Sequence, residues 1–353
     1  MKQQRFFLLK SSILIFSVIS LSLFISSCGC KREKKEYTRE IKESKIDSIS
    51  KIKVSIIRYE KDLFAIPIDS LKEGLAAMQS KYSFFYSKED LENPANIVSM
   101  KQYLKDYTIK SLYDETMKQY PSLTWLESDL TAMFQKIKYI IPSWTVPQVY
   151  TYISGGDIEY PIKYADNNLV IALDLFLGQN YPLYKMWNIP QYISNRMTPQ
   201  HIVLRCATEI AQAYLERQEF MPKTMLDKMI WHGKLLYFTD LVVPEAKDST
   251  RIGYTTQQLA WMEINEGNVW GFFIEKNLLH TSNSREIGKF LGEAPFTSTF
   301  SKNSAPRTGQ YIGWQIVRAY MARNKNVTPE ELLKLNKSQE ILNKSSYKPK
   351  KNE

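Results

Sequence analysis

The stretch Thr208-Glu209-Ile210-Ala211-Gln212 has the spacing of a catalytic metal helix without its ligands. Side chains four residues apart share a helical face, so two imidazoles so placed can reach one metal ion. A glutamate directly after the first polarises water on that metal, and a neighbouring helix supplies the third ligand. Here Thr208 and Gln212 hold the ligand positions and Glu209 keeps the place of the base. Hydroxyl and amide oxygens are poor zinc donors beside neutral imidazole. The histidines are His201, His232 and His280, 3 in all, so no complete set is hidden elsewhere. The register His201–Arg205 keeps one imidazole, loses the glutamate and puts a guanidinium where the second ligand belongs. The expectation is therefore no metal and no catalytic residue. The alternative is a metal-dependent hydrolase drawing on Glu209, His232 and one of Glu263 or Glu266, which lie a turn apart in "WMEINEGNVW". Such a string also arises by chance, with the glutamates solvated and His232 packed beside a Gly233 that permits close helix contact. No G-x-S-x-G elbow, phosphate-cradling glycine loop or C-x-x-C pair is present, and Cys206 reads as a small core residue.

The net charge of +10 first suggests a nucleic-acid partner, but it is not in the body: residues 54–330 carry 29 basic and 29 acidic residues. The excess lies at the two ends, so no nucleic-acid partner is expected. Lys2, Arg5 and Lys10 precede the apolar run Ile13–Ile25, too short to span a bilayer comfortably but suited to a secretory signal. It ends in "ISSC", which resembles the bacterial lipobox. That resemblance implies cleavage after residue 27, a covalent lipid on Cys28 as the sole prosthetic group, and a membrane anchor. Residues 28–53 are polar and mixed in charge, a tether. A body over 54–345 and a polar tail over 346–353 follow.

Within the body, helical periodicity appears in Ser70–Met78, Ala95–Tyr107 and Leu123–Tyr139, where Leu126, Leu130, Met133, Phe134 and Ile137 share a face. Residues 54–140 thus read as a helical cap. Residues 141–345 begin with strands: Val149–Ile153 alternates and stops at Gly155-Gly156, "NLVIALDLFLG" is a continuous apolar run, and Pro161 confines any strand between them to an edge. Helices follow over Pro199–Tyr214, behind a Thr198 cap, and over Lys223–Leu241, Thr256–Leu279 and Gly309–Ala322, with a last one capped by Thr328. The fold class is α+β. Aromatic residues crowd between Trp144 and Tyr192, a composition that suits either a groove or an ordered core.

The runs "IPSWTVPQVYTYISGGDIEYPIKYADNNLVIALDLFLGQNYPLY", "MIWHGKLLYFTD" and "GQYIGWQIVRAYM" resemble the gliding motility lipoproteins of the GldB family of Bacteroidetes. The resemblance covers most of Ile56 to Lys348. It implies a lipoprotein of the cell envelope, facing the periplasm rather than the cell surface, whose partners are other envelope or gliding-machinery proteins. More distantly, the order "VIALDLFLG", "TEIAQ", "WHGKLLYF", "GQYIGW" resembles gluzincin-type zinc proteases. That second resemblance implies a zincin-like body with a degenerate metal site, in which Glu209 stands in the place of the base and His232 in that of the third ligand, both as vestiges. Its former substrate groove would hold a partner through Thr208, Gln212, Tyr150, Tyr152, Glu263, Glu266, Arg307 and Tyr311.

Overall fold

A small mixed sheet forms where the sequence alternates, and helices cover both of its faces. Its strands are β1 (Ile56–Arg58), β2 (Gln148–Tyr152), β3 (Ile162–Ala165) and β4 (Asn168–Ala172), in the order β1-β2-β4-β3. β1 and β4 run parallel to β2, and β3 runs antiparallel to β4. Asp166 and Asn167 join β3 to β4 with φ of 48° and 59°, the left-handed pair that a two-residue hairpin turn demands. β3 is one of the two edges, as Pro161 requires, while β4 is buried from Leu169 to Ala172. The chain is described here by a computed structural model covering Ile41 and residues 52–350. The expected signal, Cys28, residues 351–353 and all of the tether but Ile41, Ile52 and Lys53 lie outside the described residues.

The helices are α1 (Tyr59–Phe64), α2 (Leu71–Met78), α3 (Lys88–Glu92), α4 (Pro94–Lys105), α5 (Tyr107–Gln119) and α6 (Thr124–Ile140) before the second strand. After the sheet come α7 (Pro182–Met186), α8 (Gln191–Ser194), α9 (Ile202–Glu216), α10 (Met225–Val242), α11 (Asp248–Ile252), α12 (Thr256–Glu275), α13 (Ser284–Leu291), α14 (Thr308–Arg323), α15 (Pro329–Lys334) and α16 (Ser338–Ser345). The α+β class holds. The all-helical first third is corrected at one place: Ile56–Arg58 is a sheet strand, pairing Ile56 with Val149. Three residues are too few to show alternation, so the strand left no periodic signal.

Strand alternation divides the core into two layers. Tyr150 and Val170 point to α1–α4, where they meet Tyr59, Leu63, Leu71, Leu75, Tyr82 and Leu104. Val149, Leu169 and Ile171 point the other way into the main core, with the expected α6 face of Leu126, Leu130, Met133, Phe134 and Ile137. α10 and α14 are buried nearly all round, as helices at the centre of a large core are. They cross at glycines: a Cβ on Gly233 would lie 2.3 Å from the carbonyl oxygen of Gly313, and one on Gly313 would lie 1.9 Å from that of Met229. Hydroxyl caps with reciprocal carboxylate or amide bonds start α10 at Thr224, α12 at Thr255 and α15 at Thr328. Thr198 does not cap a helix as expected. Pro199–His201 is a 3₁₀ turn, and the Thr198 hydroxyl lies 2.8 Å from His201 Nδ1 instead.

Candidate functional site

Helix α9 turns one stripe of its first three turns toward α10, and between them lies a cavity of about 140 Å³. His201, Leu204, Arg205, Thr208 and Glu209 line it, at the spacing that places side chains on one helical face. α10 adds His232, Leu235 and Leu236; Arg196, the Thr250–Gly253 turn, Arg307 and Gln310 close it. Thr208, Glu209, His232 and Arg307 thus line one cavity.

The other expected groove residues are elsewhere. Gln212 bonds Glu216 on its own helix and does not line the cavity. Tyr150 is buried against Tyr82 and Phe85 on the far face of the sheet, and Tyr152 packs beside the same Phe85. Tyr311 is buried between Tyr254 and Trp314. Tyr150 and Tyr311 are core and Tyr152 is partly buried beside it, because helices cover both sheet faces and α14 is enclosed. Glu263 and Glu266 are also corrected: neither lines the His232 cavity, and Glu266 accepts a hydrogen bond from Tyr347 at 2.8 Å.

The electrostatics of the cavity come from arginine. Arg196 grips Glu293 with two bonds of 3.0 and 2.8 Å. Arg307 sits at φ 48°, uncommon for a side chain of its size, and donates to the carbonyls of Ile252 at 2.6 Å and Gly253 at 3.2 Å. Gly253, at φ 72°, makes room for both: a Cβ there would lie 2.5 Å from Arg196 Cδ and 3.2 Å from Arg307 Nη2. Arg205 has no hydrogen bond or ion pair among the described residues. Burial and Arg196 lower its pKa to about 10, so it is cationic at neutral pH. Burial works against the Glu293 carboxylate, but Arg307 and Arg196 outweigh it and hold that group below its ordinary range. Burial pushes the Glu209 carboxyl up, against the pull of Arg205.

Both histidines are held neutral. Burial, then Arg205 and Arg196, lowers His201 to about 4; burial, then Arg307, lowers His232 to about 4. The unfolded chain binds protons on these rings near pH 6.5, whereas the folded chain does not until about pH 4. Stability is therefore full above about pH 6.5 and falls between there and pH 4, by up to about 3 kcal/mol per histidine. Urea denaturation from pH 7.5 to 4.5 should show a shallower acid loss in His201→Gln/His232→Gln than in the parent. Equal slopes would contradict this assignment.

The metal that the gluzincin resemblance implies does not fit these residues. Thr208 spends its hydroxyl on the Leu204 carbonyl at 2.9 Å. Among the described residues no three His, Cys, Asp or Glu side chains are grouped to hold a metal ion. Three guanidinium groups beside Glu209 and His232 add repulsion against any cation. Sequence reasoning missed Arg196, Arg205, His201 and Glu293. The i, i+4 pair His201 and Arg205 was visible as a motif register, but only as a spoiled one. Nothing in sequence joins Arg196 to Glu293.

Together these features describe a mostly helical α+β protein with a basic cavity where two central helices meet. Residues 40–349 match the family described as gliding motility protein GldB, and the chain belongs to that family. No curated protein and no solved structure matches it.

Proposed function

We propose that this protein is a lipid-anchored component of the bacterial cell envelope that serves gliding or envelope machinery by holding another protein, without catalysis. The observation that carries the non-catalytic part of the reading is the arginine-lined cavity at Glu209 and His232, whose charge opposes a catalytic metal. Membership of the GldB family supports the link to motility machinery. The "ISSC" signal supports a lipid on Cys28, on the periplasmic side of the envelope. Among the described residues no helix is long and apolar enough to cross a membrane, which agrees with anchoring by lipid. The cavity stands as the altered cleft of a gluzincin-like ancestor.

Labelling cells with a clickable fatty acid tests the anchor. Label should be lost in Cys28→Ala and kept in Cys30→Ala; label surviving in Cys28→Ala would remove the anchor from this reading. Crosslinking in cells from the anchored protein should trap a discrete envelope protein, and the absence of any discrete product would remove the holding role. Stoichiometric zinc together with peptide cleavage, both lost in Glu209→Gln, would overturn the non-catalytic reading.

A further inference from the structure

The cavity holds more positive charge than its own carboxylates can balance. Arg196, Arg205 and Arg307 line it or reach its edge, while Glu293 and Glu209 are the acidic groups set against them. Even with both carboxylates ionised, one guanidinium charge is left over. Arg251 lies on the same wall, but Asp240 at 2.9 Å takes up its charge.

Unused donors accompany that unused charge. Arg205 has no hydrogen-bonding partner among the described residues, although it faces Arg196 across the site. Arg196 Nε and Arg307 Nε are buried without an acceptor. A buried donor left unpaired costs about 1–3 kcal/mol, more when charged, so such an excess signals a missing acceptor. Arg307 is held by a left-handed backbone, and Gly253 leaves the space that both arginines occupy. Strain of this kind, in a residue whose side chain is 8 % exposed, indicates a guanidinium placed by the fold.

We propose that this cavity binds one oxyanion group, a phosphate or a carboxylate, carried by a small molecule. Guanidinium forks match both oxyanions, giving shorter and stronger bonds than neutral donors give. About 140 Å³ admits such a group with a few waters and excludes a folded segment. His201 also borders an open depression of about 600 Å³ lined by Gln179, Asn180, Tyr181, Asn195 and Gln200. The oxyanion fills the cavity and the rest of the molecule lies in that polar depression. The inference goes beyond the holding of another protein and does not rest on it: anion titration tests the cavity, whereas lipid labelling and crosslinking test the anchor and the partner.

The test is titration of the full-length protein in detergent with inorganic phosphate and with acetate, at constant ionic strength set by chloride. Thermal stabilisation and calorimetry give the readouts. Saturable binding of either anion is expected, and the tighter of the two names the oxyanion. Arg205→Gln should weaken it about tenfold or more, Arg205→Lys less, and Glu209→Gln should tighten it severalfold by removing an opposing charge. Arg285→Gln, an exposed arginine on α13, should change nothing. Failure of both anions to saturate, or undiminished binding in a folded Arg205→Gln variant, overturns the proposal.

Discussion

Replacing Gly313 with alanine will cost several kcal/mol of stability, enough for the protein to express poorly or lose its cooperative transition. The added methyl would lie 1.9 Å from the Met229 carbonyl oxygen and 2.4 Å from its carbon. Those are backbone atoms of α10, so no rotamer change relieves the overlap. The helix must move, and α10 carries thirteen buried residues, nine of them side chains of the main core. Overpacking a rigid core costs about 1–3 kcal/mol where side chains can yield, and more where backbone must. Gly233→Ala meets the Gly313 carbonyl at 2.3 Å and should behave similarly. Combining the two should cost less than their sum, because one separation of the helices relieves both clashes. At about 2–4 °C per kcal/mol for a large domain, either single change lowers Tm by at least about 6 °C. Gly288→Ala is the control: in α13 nothing lies within 4 Å of its added Cβ. Helix propensity alone then predicts a gain of about 0.5–1 kcal/mol. Thermal denaturation by circular dichroism checks all four, and a Gly313→Ala Tm within a degree of the parent would refute the close crossing.

This helix pair shows what the sequence could and could not reveal. Gly233 beside His232 was readable as a residue permitting close contact, because only a missing Cβ lets backbones approach so nearly. Its partner Gly313 sat in "GQYIGW" with nothing to say which helix it meets. Periodic elements were legible for the same local reason: the α6 face from Leu126 to Ile137, the Thr328 cap and the edge character of β3 rest on spacing of a few residues. The site is legible only in part. Glu209 and His232 were singled out by a motif outline and do share a cavity, whereas its charge comes from Arg196 and Arg205, nine residues apart, and from Arg307, about a hundred residues on. Tyr150 and Tyr311 looked like groove residues because tyrosine suits a half-wet surface. Whether a tyrosine is half-wet depends on what covers it, and α1–α4 and Tyr254 cover these two.

Asp240→Ala should be nearly as damaging as Gly313→Ala, through charge instead of volume. Asp240 is 2 % exposed. Its Oδ2 accepts from Trp314 Nε1 and Arg318 Nε, both at 2.8 Å, and its Oδ1 accepts from Arg318 Nη2 at 2.8 Å. Arg251 Nε also lies 2.9 Å from Oδ1, an ion pair that lacks hydrogen-bond alignment. The alanine variant leaves two buried guanidinium groups to share what remains. Arg318 keeps Asp248, at 2.8 and 3.0 Å, and its stacking 3.7 Å above the Trp314 ring. Arg251 keeps its hydrogen bonds to the Val243 and Ala246 carbonyls, at 3.0 and 2.9 Å, and the longer-range pull of Asp248 and Glu245. An uncompensated buried charge costs about 3–5 kcal/mol, and here Arg251 bears most of it. The loss should hardly respond to added salt, because screening acts on exposed pairs. Removing the stranded charge as well should restore stability: Asp240→Leu with Arg251→Met should be more stable than Asp240→Leu alone, with a coupling of about 1–3 kcal/mol. Urea midpoints for the four corners of that cycle decide it. Additive losses would mean that Arg251 is held by its two carbonyls and that Asp240 serves Arg318 alone. Coupling would mean that this aspartate also fixes the Arg251 wall of the oxyanion cavity.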